Sequence, residues 1–530
     1  MNRKTKIYLP LLLAIAIAFG IFLGSSLNYP KKTLTFFGGT PQEKKIKRLI
    51  DFIHYEYVDD VDTDSLLDGT IKNLLGKLDP HSVYIPAKEQ ESITETMNGK
   101  FVGIGIQFRM HKDSLTVVKV LENGPSKKAG IQAGDRILIA NNDTLYGKNL
   151  ESSYILKTLK GEPDTKVDLE VYRKSLNKNL PFTIVRGDVP IQSVDAFYML
   201  GDDLGYIKIN KFAATTYDEF KTALEELLKQ GMKKLVLDLR NNPGGYMQVA
   251  TQIADEFLED GKLIVFTKNK GKKIDKTFAT VKGDFEDGHV FVLINGSSAS
   301  ASEIVAGALQ DNDQGTIVGR RSFGKGLVQQ EMSLGDGSAV RLTVSRYYTP
   351  TGRSIQKPYD HNGNEGYFNE FEDRFHQGEL YSKDSIKVND TLKYITPKGK
   401  IVYGGGGIVP DVFVAIDTTR YFNTRHYRAL NDFVFDYTDM HRDDFKGTTL
   451  DTYISDFDPG NKIWNAYLES IPEELRNMEA TEKINIENYL KALMSQQLFD
   501  INAFYRIINE KDIMIEKVKQ LNKESTSIAQ

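Results

Sequence analysis

Four serines fall within six residues, Ser297, Ser298, Ser300 and Ser302, and a lysine bracketed by glycines, Lys325, follows Ser300 by 25 positions. A serine hydroxyl attacks a carbonyl only when a base takes its proton. Lysine is a poor base as it stands, because its ordinary pKa of about 10.4 keeps it charged at neutral pH. Burial can lower that pKa by several units. A neutral lysine amine beside a serine hydroxyl would then support acyl transfer without histidine. By itself SASAS reads more readily as a tight turn that caps a helix. An apolar strand before it, a helix directly after it, and Ser322-Phe323-Gly324-Lys325-Gly326 downstream shift the reading to a nucleophile turn. Gln329, four residues past Lys325, can hydrogen-bond the amine and orient it. The tetrahedral intermediate needs N–H donors. Candidates are the backbone of Ala301 and the Gly244-Gly245 turn, which follows Pro243 after an apolar strand.

These groups must be placed by an α/β framework. Val290–Ile294 reads as a buried strand, and a helix runs from the serine turn to about Gln310. If the next strand lies beside the first, Lys325 can reach Ser300. Gly205–Phe212 and Lys234–Leu239 read as strands, with helices at Tyr217–Gln230 and Met247 to about Phe257. Ligands gather at strand carboxyl ends in such folds. Asp238 and Arg240 read as an internal ion pair that holds the Gly244-Gly245 turn. Leu327–Met332 and Ala339–Tyr348 form a hairpin about Gly335-Asp336-Gly337. Residues 358–396 are polar, aromatic and acidic with little periodicity, which predicts an insertion that runs as a long surface loop. Tyr403–Pro410 is glycine-rich but lacks a following G-K-[ST], so packing or turning is favoured over phosphate binding.

The fold class expected is multidomain: an α/β core, a mixed sheet with helices, joined to a smaller domain, an N-terminal helical segment and a C-terminal helical region. The domains fall at 1–27 (anchor or signal segment), 40–97 (helical), 98–188 (a smaller domain), 189–422 (core with its insertion) and 423–530 (helical). Three positive charges in Asn2–Lys6 precede an uncharged run, Ile7–Leu23. This predicts a single-pass anchor with a cytoplasmic N-terminus and the rest translocated, at the inner membrane facing the periplasm. A cleaved signal peptide competes, but the run is long for an h-region and no A-x-A site follows. The net charge of −4 gives no reason to expect nucleic acid, and the absence of cysteine excludes disulfides, thiolate catalysis and cysteine-held zinc. The eight histidines show no H-x-x-x-H spacing, so no metal or other cofactor is expected. The lone Trp464 reads as core.

Gly124-Pro125, a short alanine helix, and Gly130-Ile131-Gln132-Ala133-Gly134-Asp135-Arg136-Ile137 resemble a PDZ domain. In that fold a C-terminal peptide adds as a strand to a sheet edge, with its carboxylate on loop N–H groups. The resemblance places that loop at Val102, Gly103, Ile104 and Gly105. Taken together, LDPHSVYI (Leu78–Ile85), FVGIGI, LVLDLRNNPGG (Leu235–Gly245), SSASASEIVAGALQD, VGRRSFGKGLVQ, RLTVSRYYTPTGRSIQ (Arg341–Gln356) and GGGGIVPDV are similar to the carboxyl-terminal processing proteases. The similarity spans about Gln42 to Val414, outside the insertion. It implies Ser300 as nucleophile, Lys325 as general base, Gln329 as orienting residue, and Gly244, Gly245 and Ala301 as the oxyanion hole. It also implies a PDZ domain that binds protein substrates by their C-terminal tails and gates the protease, with Lys160 at the place of a gating basic residue. Lysine there cannot give arginine's bidentate contact. An adaptor protein and a homo-oligomer stay open as partners. Two other readings compete: a non-catalytic PDZ scaffold, which the intact Ser300, Lys325 and Gln329 oppose, and a different acyl-transfer enzyme, which the PDZ domain disfavours.

Overall fold

The computed structural model describes residues 40–528 apart from 112, 122–123, 148–149, 282, 360–364 and 421. The run Ile7–Leu23 lies outside the described residues, and among those described no helix is long and apolar enough to cross a membrane. The chain divides into two units, 1–71 and 72–530. In the first, Thr40 and Glu43 cap the helix Pro41–Glu56 reciprocally, with proline in its first turn.

The second unit contains the core, the PDZ domain and the C-terminal helices. Six strands form the core sheet in the order Val194–Met199, Leu204–Ile209, Lys234–Asp238, His289–Ile294, Gly315–Gly319, Val412–Phe413. The first pair is antiparallel and the others are parallel. Both faces are covered, so the inner strands read as unbroken apolar runs such as Val290–Ile294. Ile207, Leu237, Val292 and Ile317 face the helices Thr216–Lys229, Met247–Asp255 and Ala301–Asp311. The alternate residues Tyr206, Val236, Phe291 and Val318 face Met514, Ile515 and Val518 of the last helix, Ile513–Ile528. A second sheet pairs Ala339–Tyr348 with Leu327–Ser333, Leu263–Asn269 and Val83–Ile85. LDPHSVYI therefore contains a strand inside the segment expected to be helical, and it borders the hairpin that carries Gln329.

The insertion corrects the expectation of a loop. Glu365–His376 is a helix. Its inward positions are Tyr367, Glu370 and Arg374, spaced for one helical face, and two of the three are charged. Arg374 and Arg321 both pair with Glu379, at 2.8 and 2.7 Å, and Lys357 pairs with Glu370 at 2.7 Å. The helix's aromatic residues at helical spacing, Phe368, Phe371 and Phe375, are exposed while the inward face is charged, so the sequence pattern does not mark the face that is seated.

Arg353 and Asp311, both fully buried, pair at 2.7 Å. Arg353 also donates to Gln310 and to the Tyr403 carbonyl, at 2.7 and 2.8 Å. Removing one member leaves a buried charge without its partner. Arg353→Ala is expected to cost about 3–5 kcal/mol in urea unfolding.

The PDZ sheet runs Ile106–His111, Ser114–Val120, Arg136–Ala140, Lys166–Arg173, Lys178–Val185, with Ile106–His111 at its edge. A two-stranded ribbon, Lys100–Gly103 against Gly187–Pro190, carries the chain in and out of it. After residue 423 the chain is helical as expected, and Trp464 is buried with Leu430, Val434, Tyr467 and Leu490 in a core of its own.

Candidate active site

Parallel pairing brings three turns to the same end of the core sheet. They follow the neighbouring strands Lys234–Asp238, His289–Ile294 and Gly315–Gly319. The four serines separate by what their hydroxyls meet. Ser298 is buried and donates to the Leu239 carbonyl at 2.8 Å, and Ser302 is buried and donates to the Asn242 carbonyl at 3.0 Å. Ser297 is exposed. Ser300 lines a cavity of about 570 Å³ together with Lys325, Gln329, Gly244, Gly245 and Arg341. Its backbone has φ +54° and ψ −112°, a conformation that a non-glycine residue holds only under constraint. The sharp turn sets the hydroxyl at the start of the helix Ala301–Asp311.

Lys325 Nζ donates to Gln329 Oε1 at 2.9 Å, as the four-residue spacing anticipated, and no hydrogen bond joins it to Ser300. The Gln329 amide donates in turn to the His81 carbonyl, which fixes its orientation. Burial lowers the pKa of Lys325, and the positive charge of Arg341 lowers it further, while Glu303 and Asp79 act in the opposite sense. His81 is pushed down to about 4, first by burial and then by Lys325, so it is neutral at physiological pH. Its Nε2 lies 2.8 Å from the Tyr367 hydroxyl. Arg341 pairs with Glu331 at 3.1 Å across the hairpin. Arg341→Gln removes a cation that disfavours the ammonium form, so the rising limb of the pH–rate profile is expected to move to higher pH.

Glu303 joins the two chemical turns. Its fully buried carboxylate accepts from Ser300 N at 2.8 Å, Ser322 Oγ at 2.5 Å, Gly324 N at 2.7 Å and Lys325 N at 2.8 Å. Sequence reasoning gave this residue no role. The signal was present as S-x-x-E, the spacing of a capping box. His81 lies in LDPHSVYI and Arg341 in RLTVSRYYTPTGRSIQ, where neither spacing nor neighbouring residues mark them for this site.

The oxyanion expectation is refined. A Cβ on Gly244 would lie 2.8 Å from Ser300 Cβ and 2.9 Å from Ala301 N, so only glycine permits this approach. The Gly244 N–H, however, is taken by Asn242 Oδ1 at 2.8 Å. Among the described residues no hydrogen bond claims the N–H groups of Gly245 or Ala301, which leaves those two as donors. Asp238 and Arg240 form the expected pair, at 2.6 Å.

In the PDZ domain the N–H groups of Ile104 and Gly105 likewise meet no acceptor among the described residues. Gly105 has φ +74° and lies against Gly124 and Pro125. Val102 and Gly103 belong to the ribbon strand. Lys160 pairs with Glu95 and lies over the Phe101 ring at 4.9 Å. Glu95 sits on the helix Ala87–Asn98, whose Ile93, Thr94 and Met97 form one wall of the catalytic cavity.

A PDZ domain beside an α/β core with this constellation defines a serine-type peptidase. Peptidase family S41 matches residues 203–361 and the PDZ domain matches 102–184. Residues 28–89 match the activating protease CtpB N-terminal domain, and 421–500 match a family of unknown function. The carboxy-terminal-processing protease of Bartonella bacilliformis is 35% identical over 345 residues, 64% of this chain and 78% of that protein. The carboxy-terminal processing protease CtpA of Bacillus subtilis is 33% identical over 67% of this chain and 76% of its own length, and CtpB of the same organism is 35% identical over 59% and 65%. The chain belongs to the carboxy-terminal processing protease family.

Proposed function

We propose that this protein is a membrane-anchored endopeptidase of the periplasm that captures protein C-terminal tails in its PDZ groove and cuts them by a serine–lysine mechanism. The observation that carries the reading is that Ser300 and a lysine whose pKa burial lowers line one cavity, beside two N–H groups that have no other partner among the described residues. The Lys325 amine takes the Ser300 proton as Oγ bonds to the scissile carbonyl carbon. The oxyanion rests on the N–H groups of Gly245 and Ala301. The ammonium then returns its proton to the departing amine, and water, activated by the same amine, hydrolyses the acyl-enzyme. Gln329 keeps the amine in place by accepting a hydrogen bond from it at Oε1. Tethering of the tail raises the effective concentration of the scissile bond near Ser300. Displacement of Lys160 from Glu95 is the route by which an occupied groove reaches the cavity wall. The anchor and location rest on the charge pattern at Asn2–Leu23.

A tailed protein substrate, with Ser300→Ala as control and products mapped by mass spectrometry, tests the activity. Defined internal cuts that require the substrate's free C-terminus and vanish in the variant are expected. Turnover of small esters with no peptide cleavage would overturn the reading. Location is tested by protease accessibility in spheroplasts, where the bulk of the chain is expected to be digested without lysis.

A further inference from the structure

The helices after residue 423 make two joints of different character. Toward the core the joint is apolar: Met514, Ile515 and Val518 are buried against Tyr206, Val236, Phe291 and Val318. Polar bonds surround it, with Arg240 to Asp512 at 2.7 Å, Asn509 to the Tyr198 hydroxyl at 2.8 Å and Lys234 to Asn522 at 2.6 Å. Such a seat resembles an ordinary domain core and is permanent.

Toward the PDZ domain the joint is ionic. On the helix Thr424–Met440, Asp432, Asp436 and Asp439 recur at i, i+4 and i+7, which places them on one face. They meet Arg109, His111 and Arg136 in turn: Asp432 pairs with Arg109, Asp436 lies 3.0 Å from His111, and Asp439 pairs with Arg136 at 2.8 Å. Arg109 also lies over the Phe435 ring at 5.4 Å and donates to the Asn431 carbonyl at 3.0 Å. Strand register explains how the PDZ side is built. Arg109 pairs with Thr116, and Thr116 with Arg136, so all three stand in one row on one face of the sheet. The opposite face, with Leu115, Val117 and Ile137, is the PDZ core. Thr116 is nevertheless fully buried, and its hydroxyl has no hydrogen-bond partner among the described residues. A residue on the outer face is buried only where something covers that face, and the aspartate helix lies against this row.

We propose that the C-terminal helical region is the element that fixes the PDZ domain's orientation relative to the catalytic cavity. It is bolted to the core by apolar packing and grips the PDZ sheet by a row of charge pairs. Without it, the PDZ domain would be joined to the core by the two-stranded ribbon and by contacts such as Lys160–Glu95. The edge strand Ile106–His111 supplies both the peptide-adding edge and two of the gripped side chains, so the grip sets the line along which a bound tail leads to Ser300. This rests on the tail-capture reading above. The helical region after residue 423 thus acts as a positioning domain and takes no part in the chemistry.

The test uses the full chain with Asp432→Arg, Asp436→Arg, and the exchange Asp432→Arg with Arg109→Asp. Amide exchange over residues 106–120 reports the grip directly and needs no activity. Asp432→Arg combined with Asp436→Arg is expected to speed exchange there at least ten-fold while leaving the core strand His289–Ile294 unchanged. The same variant is expected to lose about ten-fold or more in kcat/KM on a tailed protein, with a short peptide lacking the tail cleaved as by the parent. The exchange variant is expected to recover exchange protection and tailed turnover. Unaltered exchange over 106–120 in the double reversal, or equal losses on tailed and short substrates, would overturn the proposal. If the parent cleaves neither substrate, the protease reading fails, yet the exchange measurement still decides whether the helices grip the PDZ sheet.

Discussion

Lys325→Ala abolishes peptide cleavage while the protein unfolds no more easily than before. Removing a positioned base alone costs roughly 10²–10⁴-fold. Here the same amine serves both halves of the reaction, so the loss compounds and falls at or beyond the upper end of that range. Folding is spared because the lysine is a cost to the native state. Burial, then Arg341, lowers its pKa below that of the unfolded chain. Between the lowered pKa and the ordinary value of about 10.4, the unfolded chain binds the proton that the native protein has released, so stability rises with pH across that window. Below the window the charged, buried ammonium is a full penalty. Lys325→Met is therefore expected to match or exceed the parent's urea midpoint at pH 7, with alanine close behind. The kinetic sign runs the same way for a different reason. Only the neutral amine can accept the Ser300 proton, so kcat/KM on a short peptide rises about ten-fold per pH unit below the lowered pKa and levels off above it. A level profile under conditions where chemistry limits the rate would exclude lysine as the base. A fall of several degrees in the melting temperature of the alanine variant would make Lys325 a structural residue.

What the sequence disclosed and what it concealed follow from the kind of force at each place. Strands buried on both faces write themselves as apolar runs, and Val290–Ile294 was legible for that reason. The catalytic candidates were legible because small residues and glycines crowd where a turn must be sharp, as at Ser300 and Gly244. The helix Glu365–His376 was concealed because Glu370 and Arg374 turn inward and are neutralised in ion pairs by Arg321, Lys357 and Glu379. The same blindness hid the grip on the PDZ domain: aspartates at i, i+4 and i+7 read as a solvated face until the arginines opposite them are known. Gly244 shows a finer limit. Its glycine is required by the approach to Ser300, but which N–H remains free depends on Asn242, whose amide reaches two residues along the turn.

Glu303 is the second residue whose loss should be severe, and it would fail differently from Lys325. Its two carboxylate oxygens receive four donors, one from the serine turn and three from the lysine loop. Burial pushes its pKa up, while the four hydrogen bonds hold it down. In Glu303→Ala the N–H groups of Ser300, Gly324 and Lys325 lose their acceptor inside the protein. Each unsatisfied group costs about 1–3 kcal/mol, so the variant should lose several kcal/mol in urea unfolding. Activity should fall with it even where the chain remains folded. Ser300 holds φ +54° only because its surroundings impose it, and the tie from its own N–H to Glu303 is one of the constraints. Glu303→Gln separates charge from shape. Glutamine keeps the volume and one acceptor oxygen, but its NH₂ must face N–H donors whichever way the amide is turned. It should therefore fold better than the alanine variant and still lose most of its turnover on a short peptide, in kcat more than in KM, since the damage is to the alignment of Ser300 with Lys325. Aspartate, one methylene shorter, cannot span both turns and should behave like alanine in activity. If Glu303→Gln retained the parent's kcat, the two turns would be held together by the surrounding packing, and the carboxylate would be only a helix cap.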